Sequence, residues 1–106
     1  MKPSSPDVIA ALDAAWDPES GVLGKLRDGK YDPELAQNYL SILDSITIEE
    51  GEQLPSDFVR LLWFAPIFSE WQSKGMPEFV SESVKSEVAN FANKVLDRVI
   101  QLLGTP

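Results

Sequence analysis

Apolar residues recur at spacings of three and four along most of this chain, a pattern that is typical of amphipathic α-helices. Such a stripe, preceded by a serine and a proline, predicts a first helix from about residue 6 to residue 16. An aspartate–proline–glutamate signal followed by a second stripe predicts a helix over residues 33–46. The same aspartate–proline–glutamate signal, at residues 17–19, predicts a helix over residues 18–27. Gly21 and Gly24 each cost about 1 kcal/mol relative to alanine there and weaken the prediction of a helix.

The second half of the chain carries the most apolar run, Leu61–Phe68, which we expect to be the central and most buried element. It follows a polar loop over residues 47–54 and belongs to a helix that begins near Pro55. Pro66 should kink this helix or divide it in two, because proline lacks a backbone donor. Pro77 marks the start of a last helix of about 26 residues and about 40 Å, with its C-terminal half the more apolar.

These elements predict an all-α protein. Several connections are short and marked by proline, so we expect five or six helices in an irregular bundle with a long C-terminal helix, rather than a regular four-helix design. Neither an internal repeat nor a linker divides the sequence. Residues 1–106 are therefore expected to form a single helical domain.

The composition narrows the possible chemistry more than any motif does. The chain contains neither histidine nor cysteine, which excludes disulfides, a thiol nucleophile and metal sites built from thiolate or imidazole ligands. The commonest general base is missing as well, and the six glycines form no phosphate-binding loop. We therefore expect a protein that is not an enzyme and that carries no cofactor and no metal.

Negative charge dominates the chain, with 17 acidic against 9 basic residues and a net charge of −8. That balance disfavours binding to nucleic acid or to an anionic membrane surface. Two interpretations are open for the acidic segment, residues 31–59: a solvated face that keeps the protein soluble, or an electrostatic landing site for a basic protein partner. The segment has no base and accounts for −7 of the total through Asp32, Glu34, Asp44, Glu49, Glu50, Glu52 and Asp57.

Aromatic side chains add candidate contacts to the acidic segment. Tyr31 and Tyr39 lie near its first carboxylates, and tyrosine beside carboxylates suits a surface that buries a basic partner. Trp71 and Trp16 have polar neighbours in the sequence and are candidates for a binding surface, where tryptophan is over-represented. We add Tyr31, Tyr39 and Trp71 to the seven carboxylates as the candidate partner-binding residues.

A small, strongly acidic, all-helical chain without catalytic residues resembles the bacterial immunity proteins that neutralise nuclease toxins. The resemblance is one of overall character across residues 1–106. It implies that the carboxylates of the acidic segment occupy the basic groove in which a toxin nuclease domain holds phosphates, with an aromatic anchor beside them. The chain has no start of signal-peptide type and no apolar stretch near the roughly 20 residues of a membrane span, so we expect a cytoplasmic protein.

The alternative is a structural or regulatory helical subunit. In that case the wide apolar stripe of the last helix would form a homodimer or bind as an adaptor, and the carboxylates would only solvate the outside. The two hypotheses differ in the expected oligomeric state, since the first favours a monomer and the second a dimer.

Overall fold

Six α-helices and no β-strand make up the structure, a computed structural model that describes all of residues 1–106. The prediction of an all-α bundle with a long C-terminal helix is confirmed. None of the helices is both long enough and apolar enough to cross a membrane. In chain order they are α1 (Pro6–Ala14), α2 (Val22–Arg27), α3 (Pro33–Ser45), α4 (Ser56–Leu62), α5 (Ala65–Lys74) and α6 (Glu82–Leu103).

The core is a single cluster of 20 buried residues drawn from all six helices. α5 and α6 pack against each other most extensively, while α1 packs on α4 and α3 packs on α6. Phe58 of α4 and Phe91 of α6 are the largest side chains that are almost completely buried. With 22 residues, α6 spans about 33 Å and accounts for much of the longest dimension of a molecule that measures 46 × 29 × 19 Å.

The start of α6 differs from the prediction. The helix begins at Glu82 and not at Pro77, because Ser81 caps it: the Ser81 hydroxyl accepts a hydrogen bond from the backbone N–H of Val84 at 3.2 Å. A side-chain cap satisfies one of the free N–H groups at a helix start, whereas a proline at the first position lacks an N–H of its own and satisfies none of the others. All buried residues of α6 lie between Val88 and Val99 and none lies before Val88, which agrees with the more apolar C-terminal half that the sequence indicates.

Pro66 divides the apolar run in two, as predicted. α4 ends at Leu62 and α5 begins at Ala65, which places Pro66 in the first turn of α5. The expectation that the whole run is buried is wrong, because Trp63 is 50% exposed and Ile67 is 38% exposed. Only one side of the run faces the core after the chain changes direction between the two helices.

α2 crosses the end of α1 at very short range. The backbone N–H groups of Leu23 and Gly24 both donate to the Ala15 carbonyl, at 2.9 and 3.1 Å, so the first turn of α2 satisfies the C-terminal end of α1. A Cβ on either Gly21 or Gly24 would overlap the backbone that follows α1. The two glycines that weaken the sequence signal for α2 are therefore required by this close approach.

Candidate protein-binding surface

Three of the candidate carboxylates meet at a recess of about 620 Å³ between the loop after α3 and the end of α6. α3 contributes Asp44, the loop contributes Glu49 and Glu50, and α6 contributes Arg98 and the apolar side chains of its last turn. We call this recess the acidic groove, and it is lined by residues 43–44, 46–50, 98 and 101–104.

Arg98 holds Asp44 in the wall of the acidic groove through two parallel contacts. Its Nε donates to Oδ1 of Asp44 at 3.0 Å, and its Nη2 donates to Oδ2 at 3.3 Å. A third donor, Nη1, reaches the backbone carbonyl of Lys94 at 3.4 Å. The bidentate arrangement orients the carboxylate and joins α3 to α6 at this edge of the fold.

Lys2 pairs with the loop side of the acidic groove. Its Nζ lies 3.0 Å from a carboxylate oxygen of Glu49 and 3.6 Å from one of Glu52. The hydrogen bond to Glu49 is the main cause that raises the pKa of Lys2 above its usual value, and the charges of both carboxylates act in the same direction. The Thr47 N–H donates to the carbonyl of the first residue at 2.8 Å and keeps Lys2 beside the loop. Glu50 forms no ion pair.

The acidic groove keeps an excess of negative charge. Its three carboxylates and the adjacent Glu52 face two cations, Lys2 and Arg98. Ion pairs between exposed side chains contribute only about 0–1 kcal/mol. The carboxylates can therefore exchange their present partners for the cations of another molecule.

Asp32 and Glu34 lie at the other end of α3, about 15 to 18 Å along the helix axis from Asp44. Asp32 caps α3, because its Oδ1 accepts hydrogen bonds from the backbone N–H groups of Glu34 and Leu35 at 3.0 and 3.1 Å. Its other carboxylate oxygen is 3.7 Å from Nζ of Lys25. Asp32 thus stabilises its own helix and is not part of the acidic groove.

Asp57 lies in a third place, at the start of α4. It pairs with Arg60 at 3.4 Å, and both residues border a separate recess between α1 and α4. The fold therefore divides the acidic segment among three locations, so that it does not form one continuous surface. Five of its seven carboxylates pair with bases, and those bases are Lys2, Lys25, Arg60 and Arg98.

The aromatic candidates lie away from the acidic groove. Tyr39 is 3% exposed and belongs to the core, so we remove it from the candidate surface. Tyr31 is half-buried against Phe91, with ring centroids 6.0 Å apart. Burial and two neighbouring carboxylates raise the pKa of Tyr31. Trp71 is 60% exposed on α5, a helix that contributes nothing to the groove.

Trp16 serves the core more than the surface. Its Nε1 donates to the Leu61 carbonyl at 3.1 Å, and its ring packs edge-on against Phe68 with centroids 5.1 Å apart. These contacts join the end of α1 to α4 and α5. Its polar neighbour Asp17 is exposed and accepts hydrogen bonds from the backbone N–H groups of Glu19 and Ser20 in the turn that follows α1.

Sequence reasoning missed the α6 side of the acidic groove, which consists of Arg98, Leu102 and Leu103 among others. A sum of charges over one segment of the sequence cannot reveal that Asp44 pairs with Arg98, because Arg98 lies 54 positions later in the chain. The available signal was the apolar stripe of α6, which widens toward its end. Comparisons with protein-family models, with curated proteins and with solved structures found no match to this chain.

Proposed function

We propose that this chain is a non-enzymatic protein-binding module whose acidic groove receives a basic segment of a partner protein. The observation that carries the proposal is the meeting of Asp44, Glu49 and Glu50 at a recess whose lining also includes Leu102 and Leu103. Carboxylates attract and orient the partner's lysines and arginines, and they speed its diffusional encounter.

The groove suits cations on long side chains for two reasons. Lysine and arginine bury their aliphatic stems against apolar surface while the charged head remains among polar groups. In the groove the stems would lie on Leu102 and Leu103, and the heads would replace Lys2 and Arg98 as partners of the carboxylates. Because the exposed ion pairs are weak, this exchange costs little.

The partner that best fits this chemistry is the basic nucleic-acid-binding face of a nuclease toxin domain. Such a face is rich in lysine and arginine because it must neutralise phosphates. A carboxylate-lined groove on a chain of net charge −8 would compete with the nucleic acid for the same cations. The chain would then act as an immunity protein in the cytoplasm of a bacterial cell.

The test compares two triple variants that lose the same charge. The groove variant carries Glu49→Gln, Glu50→Gln and Glu52→Gln. The control carries Glu19→Gln, Asp28→Asn and Glu78→Gln, three exposed positions outside the groove. Association with a partner isolated by affinity capture would be measured by stopped-flow fluorescence between about 50 and about 500 mM salt. We expect the groove variant to associate about tenfold more slowly at low salt, with a weaker salt dependence, and the control to change less than twofold.

Two outcomes would contradict the proposal. Equal losses in both variants would mean that net charge alone drives association. Unchanged rates in the groove variant would mean that the partner binds elsewhere.

A homodimeric helical subunit is the second candidate, and exposed apolar side chains favour it. Ile67 of α5 and Leu96 of α6 line one shallow recess between these helices, and both are more than a third exposed. Ile100 lies four residues after Leu96 on α6 and is exposed as well, and so is Trp63, which lies between α4 and α5. Sedimentation at micromolar concentration separates the two candidates. A stable dimer that becomes monomeric in the Ile67→Glu variant would support the homodimer and contradict the first proposal.

A further inference from the structure

Lys2 occupies a pair of carboxylates at the edge of the acidic groove. Its Nζ lies 3.0 Å from Oε1 of Glu49 and 3.6 Å from Oε1 of Glu52. The same oxygen of Glu52 accepts a hydrogen bond from the backbone N–H of Glu49 at 3.0 Å, and the Glu52 side chain is only 19% exposed. The loop backbone therefore holds the Glu52 carboxylate in place independently of Lys2.

The geometry at Lys2 suits an ammonium group better than a guanidinium group. A single nitrogen is shared there by two different carboxylates, which fits a compact charge whose three donors can point in several directions. At Asp44, by contrast, two nitrogens of Arg98 contact the two oxygens of one carboxylate, which is the planar arrangement that a guanidinium favours. The groove thus offers two kinds of cation site, and Lys2 shows which group fills the first.

The backbone around Lys2 keeps its side chain beside these carboxylates. The Thr47 N–H donates to the Met1 carbonyl at 2.8 Å, and the Ser5 N–H donates to the Lys2 carbonyl at 3.0 Å. Pro3 is fully buried and anchors the chain that follows. A group that is tethered in this way competes at a high effective concentration. Because its ion pairs are exposed and weak, the side chain can still rotate away while the backbone stays in place.

We propose that Lys2 is an internal competitor of the partner protein: it occupies the carboxylates of Glu49 and Glu52 in the free chain, and a lysine of the partner's basic segment displaces it. This inference rests on the proposed function of the acidic groove and adds the residue type that one contact requires and the group that restrains it. Removal of the Lys2 charge should therefore strengthen binding of lysine, whereas removal of the two carboxylates should weaken it.

The test uses two end-blocked hexapeptides, in which glycine alternates with lysine in one and with arginine in the other. Each is titrated into the full chain at about 50 mM salt and followed by the amide shifts of Glu49 and Glu50. We expect the lysine peptide to bind Lys2→Met about threefold more tightly than the wild-type chain, and the arginine peptide to gain less than about 1.5-fold.

Lys94→Met is the matched control, because it removes the same charge one helical turn from Arg98 and Lys94 contacts neither glutamate. It should change the affinity for either peptide by less than about 1.5-fold, since salt screens exposed charges that are not in contact.

The failure of this inference is distinct from the failure of the proposed function. Equal gains for both peptides in Lys2→Met would mean that Lys2 acts only through its charge, and no gain would mean that it does not compete. Either result would overturn the inference and leave the groove in place. If the triple variant Glu49→Gln, Glu50→Gln and Glu52→Gln bound the lysine peptide as tightly as the wild-type chain, the groove would not bind cations and both proposals would fail.

Discussion

α3 takes part in two recesses of opposite character. At its C-terminal end Asp44 enters the acidic groove, where carboxylates pair with cations at the surface. Along its length Leu35, Tyr39 and Ile42 line a second recess, of about 240 Å³ between α1, α2 and α3, where no charge is present. We call this recess the alanine pocket, because three alanines of α1 and its end line it. The groove suits a macromolecule that arrives by electrostatic attraction. The lining of the pocket is mainly apolar and offers no partner for a charged group.

The two recesses also differ in how the backbone builds them. The groove is bordered by a loop whose Gly51 has a positive φ of 78° and nothing near it. The pocket is bordered by Gly21, which lies directly against the carbonyls of residues 14 and 15. We therefore expect substitutions at the groove to change binding more than stability, and substitutions at the pocket to change stability as well.

The largest expected effect comes from Gly21→Ala, compared with Gly51→Ala. The added methyl group at residue 21 overlaps backbone and must push α2 away from α1, at a cost of about 3 kcal/mol. At residue 51 the methyl group meets open space, and only the left-handed backbone conformation costs about 1 kcal/mol. Urea unfolding monitored by circular dichroism measures both. Equal losses would break the comparison, because α2 would then not be held so closely against α1.

Sequence reasoning predicted the helix starts correctly at Pro6 and Pro33. The same signal at Pro18 precedes the start of α2 by four residues, because the Asp17 side chain there accepts hydrogen bonds within a turn. Sequence reasoning placed the start of the last helix too early, because Pro77 is a weaker signal than the cap that Ser81 provides. Charge counting found Asp44, Glu49 and Glu50, which form one side of the groove. It could not find Arg98, because only the packing of α3 on α6 brings it to Asp44.

Tyr39 shows how two sequence signals compete. Its acidic neighbours suggested a surface role, but it also belongs to the apolar stripe that predicts α3. The stripe is the better guide, because helical spacing decides which face of a helix meets the core. The alanine pocket could not be predicted, since it depends on the approach of α2 to α1 through Gly21, a contact that no local pattern encodes.

Tyr39→Phe has the next largest expected effect, and its sign is unusual for a core substitution. Removing a buried hydroxyl that has no partner should raise the free energy of unfolding by about 1 kcal/mol. Tyr31→Phe is the matched control and should change it by less than about 0.5 kcal/mol, because the Tyr31 side chain is only half-buried. Urea unfolding measures both. A loss of stability in Tyr39→Phe would contradict this expectation, because it would show that the Tyr39 hydroxyl is hydrogen-bonded in solution.

The smallest expected effect concerns the ion pair between Asp44 and Arg98. A double-mutant cycle with Asp44→Asn and Arg98→Gln should give a coupling energy of about 0.5 kcal/mol, as for other exposed pairs. It should fall further between about 50 and about 500 mM salt, because mobile ions screen exposed charges. This weakness is a requirement of the proposed function, since a carboxylate can bind a partner's cation only if it leaves its own at little cost. A coupling above about 2 kcal/mol that persists at high salt would mean that Asp44 is committed to the fold. Asp44, the carboxylate that α3 contributes to the groove, would then not be available to bind a partner.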